Sequence, residues 1–291
     1  MINSDRLASF AVFARELNFT RAARLLHISQ PALHVQIQKL GEELGAPLYR
    51  RVGRGVELTP QGAQCLALAH DIATRTDAFL GAIGRPMTPK VTIAAGEGTV
   101  RYLLGDAIQK AALGSKVSLR VLIGDRDSTL NAVSLGEAHF GVIPLDGVPD
   151  GIKATPLRRV GLKVVMRRAD PLAKKRRVQP LDLRGARLVL PPVARPLRRE
   201  VERVLREAQV EFEVAAEATG WEVLLELARI GVGAAIVNDF CRAPKGTVAR
   251  PLGGFGTTSF ALIERANAER SEAAERLRTG IIDTFRQSRS G

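Results

Sequence analysis

The sequence predicts a multi-domain α/β protein in which a small helical module is followed by one long helix and then an α/β domain. Apolar residues recur at helical spacing over residues 7–83. From Lys90 onward, short β-branched runs alternate with helical stretches. The chain of 291 residues exceeds the usual domain size of about 100–200 residues. We place the domain boundaries at residues 1–59, 60–89 and 90–291.

The charge of the chain favours an anionic partner. A formal net charge of +13 at pH 7 makes nucleic acid the first candidate, although a general bias of the genome toward arginine would produce the same excess. The net charge is +3 over residues 1–60, zero over residues 61–89 and +10 over residues 90–291. Charge alone therefore does not locate the part of the chain that would bind such a partner.

The composition argues against several classes of protein. Two cysteines, Cys65 and Cys241, are too few for a disulfide framework or a paired-cysteine metal site. No run of about 18 apolar residues indicates a membrane span. Charged residues interrupt the apolar stretch at the N-terminus, which differs from the layout of a signal peptide. We expect a soluble, cytoplasmic protein without a metal or other cofactor.

Residues 1–45 are predicted to form three helices. Thr20 is a candidate N-cap for a short second helix. Ser29 is a candidate N-cap for the third helix, and Pro31 is tolerated in its first turn. The third helix carries one apolar face, formed by Leu33, Ile37, Leu40 and Leu44.

The second and third helices, joined by the short connection at residues 27–29, form a helix-turn-helix. The third helix would enter the major groove of DNA. Side chains opposite its apolar face and near its N-terminal end would reach base edges. Val35 would meet a thymine methyl group, or it is a chance surface valine. The candidate DNA contacts on the helices are Thr20, Ser29, Gln30, Pro31, His34, Val35 and Gln38.

Residues 48–58 are predicted to form a hairpin around the Gly-Arg-Gly turn at residues 53–55. Arg54 would stand at the tip, suited to a minor groove or a phosphate, and Arg50 and Arg51 would hold phosphates. The alternative for each is a solvated surface arginine, but their clustering beside the third helix favours contact with DNA.

A long helix is predicted to begin after Thr59, with Pro60 at its first position. Its apolar and small residues step alternately by four and three, which indicates a seam for pairing with a second helix or for packing on its own domain. The seam comprises Gly62, Leu66, Ala69, Ala73, Thr76, Leu80 and Ile83. Residues 84–89 are predicted to be a linker.

The region from residue 90 is predicted to contain mostly parallel strands, and its size allows two lobes. The predicted strands are residues 91–95, 117–123, 140–143, 162–166, 188–190, 212–215, 234–237 and 260–263.

The first 65 residues closely resemble the LysR-type transcriptional regulators. The resemblance is carried by AA at 22–23, SQPA at 29–32, QI at 36–37 and LTPQG at 58–62. The segments NAVSLGEAHFGVIP and GWEVLLELARIGVGAAIVND resemble, more loosely, parts of the family's two sensor lobes. Two residues depart from the pattern: Val35 replaces a basic or polar residue, and Gly41 replaces glutamate in many members.

This resemblance implies a winged helix-turn-helix, a homodimer built on the linker helix, often a dimer of dimers, and promoter DNA as partner. It also implies a sensor domain of the periplasmic-binding-protein type with a small effector between its lobes. We assign lobe I to residues 90–160 and 265–291, and lobe II to residues 161–264. Effector binding would change dimer spacing, and hence DNA bending or contact with RNA polymerase.

Ligands of doubly wound sheets bind at the carboxyl ends of strands, where the N–H groups of Gly98, Thr99 and Val100 would be available. The resemblance also points to Thr99. Arginines would favour a carboxylate or phosphate, and Trp221 would stack on a flat ligand, although ordinary lobe packing is the alternative. The candidate effector contacts are Gly98, Thr99, Val100, Arg101, Arg126, Ile143, Pro144, Arg195, Thr219 and Trp221.

Three other functions fit the sequence less well. An enzyme is disfavoured because the sequence has no nucleophile elbow, phosphate-binding loop or metal motif. A small-molecule-binding protein, either cytoplasmic or of the solute-binding type, is disfavoured because the sequence lacks a signal peptide and carries an N-terminal DNA-binding module. A thiol-based peroxide sensor needs a cysteine pair in the sensor domain, where only Cys241 lies. Cys65 is predicted to be a buried apolar residue.

Overall fold

In the computed structural model, residues 2–53, 55–83, 88–113, 117–145, 147–268 and 270–287 are described. The N-terminal part consists of α1 (Ser4–Glu16), α2 (Phe19–Leu25), α3 (Gln30–Leu44), β1 (Tyr49–Val52), β2 (Gly55–Leu58) and α4 (Pro60–Ala82). Strands β1 and β2 pair in antiparallel register, which forms the predicted hairpin. The predicted linker falls largely on residues 84–87, which lie outside the described residues.

Short polar side chains set where the helices begin. The carboxamide of Asn18 accepts a hydrogen bond from the Arg21 amide at 3.0 Å, so Asn18 is the N-cap of α2. The prediction that Thr20 caps this helix is wrong, because Thr20 already lies in its first turn. The Ser29 hydroxyl accepts from the Ala32 amide at 3.3 Å, which confirms the predicted cap of α3.

The core of the N-terminal domain is built from the apolar faces of α1, α3 and the start of α4. Phe10, Phe13, Leu33 and Ile37 are almost completely buried, and burial of each such side chain contributes about 1.5–3 kcal/mol. Leu66 of α4 joins this cluster. The first turns of α4 therefore pack on their own domain.

The free apolar surface of α4 differs from the predicted seam. Gly62 and Leu66, which we predicted to be part of it, are buried against the rest of the N-terminal domain. The exposed large apolar residues of α4 step by four, seven and four positions, a spacing that places them on one helix face. They are Leu68, Ile72 and Phe79 together with Ile83 at the C-cap of the helix, which we call the α4 stripe.

The C-terminal region contains two five-stranded sheets. The first has the strand order β4-β3-β5-β12-β6, and the second has the order β11-β7-β10-β8-β9. The elements of the first sheet and its helices are β3 (Lys90–Ala95), a π-helical turn (Thr99–Leu104), α5 (Gly105–Leu113), β4 (Ser118–Ile123), α6 (Arg126–Ser134), β5 (Phe140–Pro144), β6 (Ile152–Val160), β12 (Thr258–Arg265) and α9 (Glu272–Gln287). Those of the second sheet are β7 (Leu162–Arg167), β8 (Arg187–Leu190), α7 (Pro196–Glu207), β9 (Glu213–Glu217), α8 (Trp221–Ile230), β10 (Ala234–Asn238) and β11 (Thr247–Pro251), with short 3₁₀ turns at Pro171–Lys174 and Pro180–Leu183.

The sheets are mixed, not mostly parallel as predicted. Strand β12 pairs antiparallel with β5 and β6, and β7 pairs antiparallel with β10 and β11. Strands β6 and β11, which we did not predict, are both edge strands. Each contains a proline and charged residues, features by which proteins protect sheet edges. Because β12 belongs to the first sheet, the chain returns to lobe I before Thr258, and the predicted return at residue 265 is wrong.

The two lobes share a continuous apolar core. Ile93 and Leu262 of the first sheet belong to the same buried cluster as Val165, Val189 and Val237 of the second. None of the described helices combines the length and apolar character that a membrane-spanning segment requires.

Candidate nucleic-acid interface and effector cleft

The outward face of α3 is uncovered in this chain. Leu33, Ile37 and Leu40 turn inward, whereas Val35 is 48% exposed and Gln38 on the same outer side is also exposed. Around the start of the helix, the further predicted contacts Thr20, Ser29, Gln30 and Pro31 are exposed as well. An α-helix with this free face fits the major groove of a duplex.

His34 is held against the wing, the hairpin formed by β1 and β2. Its Nε2 atom lies 3.0 Å from the Tyr49 hydroxyl, and its ring packs 5.3 Å from that of Phe19. The side chain is half-buried, so one ring nitrogen is already engaged within the domain. The position of His34 therefore explains how β1 is fixed beside α3, and its contact with a base stays a prediction.

The wing arginines differ in their surroundings. Arg50 forms an ion pair with Glu57 on the facing strand at 3.1 Å. Arg51 is exposed and has no ion-pair partner among the described residues. Gly53 adopts φ 57°, a left-handed conformation that favours glycine and permits the tight turn. Arg54, the predicted tip residue, lies outside the described residues.

The motif at residues 58–62 fixes the wing to α4. The Thr59 hydroxyl accepts a hydrogen bond from the Gly62 amide at 3.0 Å and donates to the Pro47 carbonyl at 2.6 Å. A Cβ atom on Gly62 would lie 1.9 Å from the Leu48 carbonyl oxygen. Only glycine fits at this crossing, so the packing of Leu48, the residue before β1, against α4 explains why the motif ends in glycine.

The carboxyl ends of strands from both lobes meet at a cleft that side chains close. The Trp221 indole lies on Gly98, where a Cβ atom would be 2.0 Å from Trp221 Cδ1. The Tyr102 hydroxyl donates to the Glu222 carboxylate, and Arg101 Nε lies 3.2 Å from the same carboxylate. These contacts join the segment after β3 in lobe I to the start of α8 in lobe II.

A second contact crosses the cleft beside the first. Arg195, which precedes α7 in lobe II, approaches Asp125 of lobe I at 3.9 Å. Hydrogen bonds from Ser128, together with the charge of Arg195, lower the pKa of the Asp125 carboxyl. The structure thus places Gly98 and Arg101 against the start of α8, and Arg195 against Asp125, so that both sets of contacts join lobe I to lobe II.

Two of the predicted effector contacts are placed differently from our expectation. The Val100 amide donates to the Gly96 carbonyl at 3.0 Å, so it is not free for a ligand. Ile143 of β5 is 1% exposed and faces the apolar core on the α6 side of the sheet, because alternate residues of a strand face opposite sides. Its neighbour Pro144 is partly exposed at the end of the strand.

The other predicted residues remain near strand ends. Thr99 opens the π-helical turn and is 7% exposed. Arg126 is exposed and pairs with Asp127 at 3.1 Å. Thr219 is exposed just before Gly220, whose φ of 92° lets α8 begin there.

Sequence reasoning missed the acidic partners in the cleft and one buried arginine. Glu222 stands next to the predicted Trp221, but its link to Tyr102 spans 120 positions of the chain. Burial and the hydrogen bond to Glu222 raise the pKa of Tyr102 to about 12. Arg198 is buried and donates to the Pro191 carbonyl at 3.2 Å, which supports the loop after β8. Nothing in the sequence distinguishes it from other arginines.

The two cysteines are poor candidates for redox chemistry. Both are buried, and burial raises the pKa of Cys65 to about 11 and that of Cys241 to about 12. The reactive thiolate form is therefore scarce at neutral pH. Within the described part of the chain, no group of three or more potential ligands would hold a metal ion.

Two family models together cover nearly the whole chain. The model for the bacterial regulatory helix-turn-helix protein of the lysR family matches residues 4–63, and the model for the LysR substrate binding domain matches residues 84–286. The second model alone spans more than half of the chain.

Individual proteins give the same relationship. The uncharacterized HTH-type transcriptional regulator YbhD of Escherichia coli K12 is 32% identical over 188 residues, which is 63% of this chain and 59% of that relative. The HTH-type transcriptional regulator BudR of Raoultella terrigena is 30% identical over 243 residues, 79% of this chain and 82% of the relative.

A solved structure has the same fold along its length. A full-length OxyR variant from Pseudomonas aeruginosa aligns with a TM-score of 0.72 at 22% identity, covering 97% of this chain and 95% of that one. The N-terminal helix-turn-helix domain and the two-lobed domain thus occur in the order of the two family models. This chain belongs to the LysR family of DNA-binding transcription regulators.

Proposed function

We propose that this protein acts in the cytoplasm as a regulator of transcription that performs no chemical turnover and responds to a small anionic effector. The DNA-binding part of this proposal rests on one observation. The outer face of α3 is uncovered, and it lies beside a wing arginine, Arg51, that has no acidic partner in the described part of the chain. Two α3 helices of a dimer would enter successive major grooves of a promoter, with the wings on phosphates. The candidate contacts are Thr20, Ser29, Gln30, Pro31, His34, Val35, Gln38, Arg50, Arg51 and Arg54.

The oligomer would form through the α4 stripe. Its four exposed apolar side chains lie on one face of α4 and its C-cap, and a second copy would remove them from water. Further contacts between sensor domains would make a tetramer. RNA polymerase is the partner on which the regulator would act.

The effector would bind between the lobes and displace their present contacts. Arg101 and Arg195 both pair with carboxylates across the cleft, so a ligand carboxylate or phosphate would replace Glu222 and Asp125 as their partner. Trp221 would stack on a planar ligand. Further contacts would come from Gly98, Thr99, Arg126, Pro144 and Thr219.

Calorimetric titration with a panel of small carboxylates and phosphate esters tests this cleft. We expect one class to bind wild-type protein, Thr99→Val to weaken it and Thr155→Val, a similar change on edge strand β6, to leave it unchanged. Binding that both variants retain fully would remove Thr99 from the site. Absence of binding by every anion would contradict the anionic effector.

A further inference from the structure

The N-terminal domain, α4 and lobe I meet at a junction centred on His70. The His70 Nε2 atom lies 2.8 Å from a guanidinium nitrogen of Arg15, which is in the last turn of α1. Its Nδ1 atom lies 2.8 Å from the Leu135 carbonyl oxygen at the end of α6 in lobe I. One imidazole on α4 therefore contacts the DNA-binding domain on one side and the sensor domain on the other.

The chemistry of the two partners defines the state of the His70 ring. A carbonyl oxygen only accepts, so Nδ1 must carry the proton. A guanidinium only donates, so Nε2 must offer its lone pair. The ring is thus neutral and both of its nitrogens are used. Burial, the largest effect, lowers the pKa of His70 and favours the same neutral state.

The surroundings leave His70 little freedom. Gly136, with φ 76°, passes so close that a Cβ atom there would lie 3.1 Å from the His70 Cβ. Asp71 forms an ion pair with Arg265 of β12, a second link between α4 and lobe I. A cavity of about 810 Å³, lined by residues of α1, α4 and lobe I, borders the junction, and Leu135 packs against the apolar core of the N-terminal domain.

Helix α6 runs from the effector cleft to this junction. It begins after Asp125, whose carboxylate accepts from the Ser128 amide at 3.0 Å and faces Arg195 of lobe II. It ends at Leu135, whose carbonyl receives the His70 hydrogen bond. Nine residues at about 1.5 Å each give a rod of about 14 Å. Val133 on its inner side is fully buried, so the helix is a packed element along its length.

We propose that His70 is the residue that positions the DNA-binding domain against the sensor domain, and that α6 transmits the state of the cleft to it. This inference rests on the proposed function, since it takes the cleft as the effector site. A change in lobe separation that moves Asp125 shifts the whole of α6, because a packed helix does not compress. Leu135 then moves relative to His70, and the bond from Arg15 adjusts or breaks.

Spin-label distance measurements on the full chain test the proposal without effector or DNA. Labels at Arg24→Cys on α2 and Lys153→Cys on β6 report the separation of the two domains. Both native cysteines are buried and protonated, so labelling is selective for the introduced thiols. Dilution with unlabelled protein restricts the signal to distances within one chain.

We expect a single narrow distance in the labelled parent and loss of that narrow peak in His70→Ala and in Arg15→Ala. Arg15 is exposed, so its variant remains informative if His70→Ala misfolds. Gln64→Ala, on an exposed position of α4, is the control and should retain the narrow peak. An unchanged distribution in both junction variants would overturn the positioning role.

The α6 connection has its own test. Arg195→Ala should broaden the distribution in the parent and add nothing in the His70→Ala background. No effect of Arg195→Ala, or an effect that adds to that of His70→Ala, would overturn transmission along α6. Because no effector takes part, a cleft that fails to bind anions leaves this measurement interpretable, and a failure here leaves the proposed function standing.

Discussion

Arg50 and Arg51 are neighbours on the wing, yet the ion pair between Arg50 and Glu57 makes them unequal. Among the described residues no carboxylate pairs with Arg51, whereas Arg50 must leave Glu57 to bind a phosphate. Removal of one phosphate contact reduces the slope of log K against log salt by about 0.9. Arg51→Ala removes one such contact per wing, so for a dimer we expect the slope to fall by about 1.8.

Replacement of Glu57, the acidic partner of Arg50, should increase the affinity for DNA. Glu57→Gln frees Arg50, and an exposed ion pair of this kind is worth about 0.2–1 kcal/mol. Release of that energy corresponds to roughly a 1.4- to 5-fold tighter complex per wing. Arg50→Ala should reduce affinity less than Arg51→Ala, since the charge of Arg50 is already partly neutralised.

Fluorescence anisotropy with one labelled duplex over a salt series measures both the affinity for DNA and the slope of log K against log salt. Arg199→Ala is the matched control, because it removes the same charge from an exposed position in lobe II. The reasoning is refuted if Arg51→Ala keeps the wild-type slope, if Arg199→Ala lowers the slope equally, or if Glu57→Gln weakens binding.

Three further predictions concern stability and assembly. Gly62→Ala should lower the free energy of unfolding by about 1–3 kcal/mol or more in chemical denaturation, because its Cβ meets a backbone carbonyl. Gly81→Ala, with open space around it, should raise the free energy of unfolding by up to about 1 kcal/mol. Equal effects of the two substitutions would contradict this. Phe79→Glu on the α4 stripe should dissociate the oligomer in light-scattering measurements, and Leu181→Glu, at an equally exposed apolar position of lobe II, should not; an unchanged mass in Phe79→Glu would exclude the stripe from the interface. Burial in the folded state lowers the pKa of His70, so the unfolded chain binds a proton more readily. Thermal stability should therefore fall as pH drops below about 6.5, and it should fall less in His70→Gln. Identical pH profiles of melting temperature in wild type and variant would contradict the neutral ring.

Local chemistry made the N-terminal domain predictable. Ser29 and Thr59 were predictable N-caps because a Ser or Thr hydroxyl directly before an apolar helical pattern accepts a hydrogen bond from an unpaired amide of the first turn. Thr20 failed as a cap because Asn18 is an equally good candidate two residues earlier. The packing of Phe19 against Phe13 favours the earlier start, and sequence alone does not contain that contact.

The sensor domain was predictable in class but not in its edges or its cleft. Interior strands such as β3 and β10 are mostly apolar and buried, whereas edge strands β6 and β11 are broken by proline and charge. The pairs that close the cleft join residues far apart in the chain, such as Tyr102 and Glu222. Periodicity reports which face of an element is buried, and it holds no information on such distant partners.

The central claim is that the outer face of α3 selects particular DNA sequences. Enrichment of duplexes from the genomic DNA of the source organism by the full chain, at physiological salt and with excess competitor, tests it most directly. We expect a few fragments with a two-fold related motif to be bound about 10³-fold or more above bulk DNA. A Gln30→Ala, Gln38→Ala variant should lose that enrichment while it still binds DNA at low salt. If no fragment is enriched, or if the variant enriches the same fragments equally, α3 does not read sequence in the manner described.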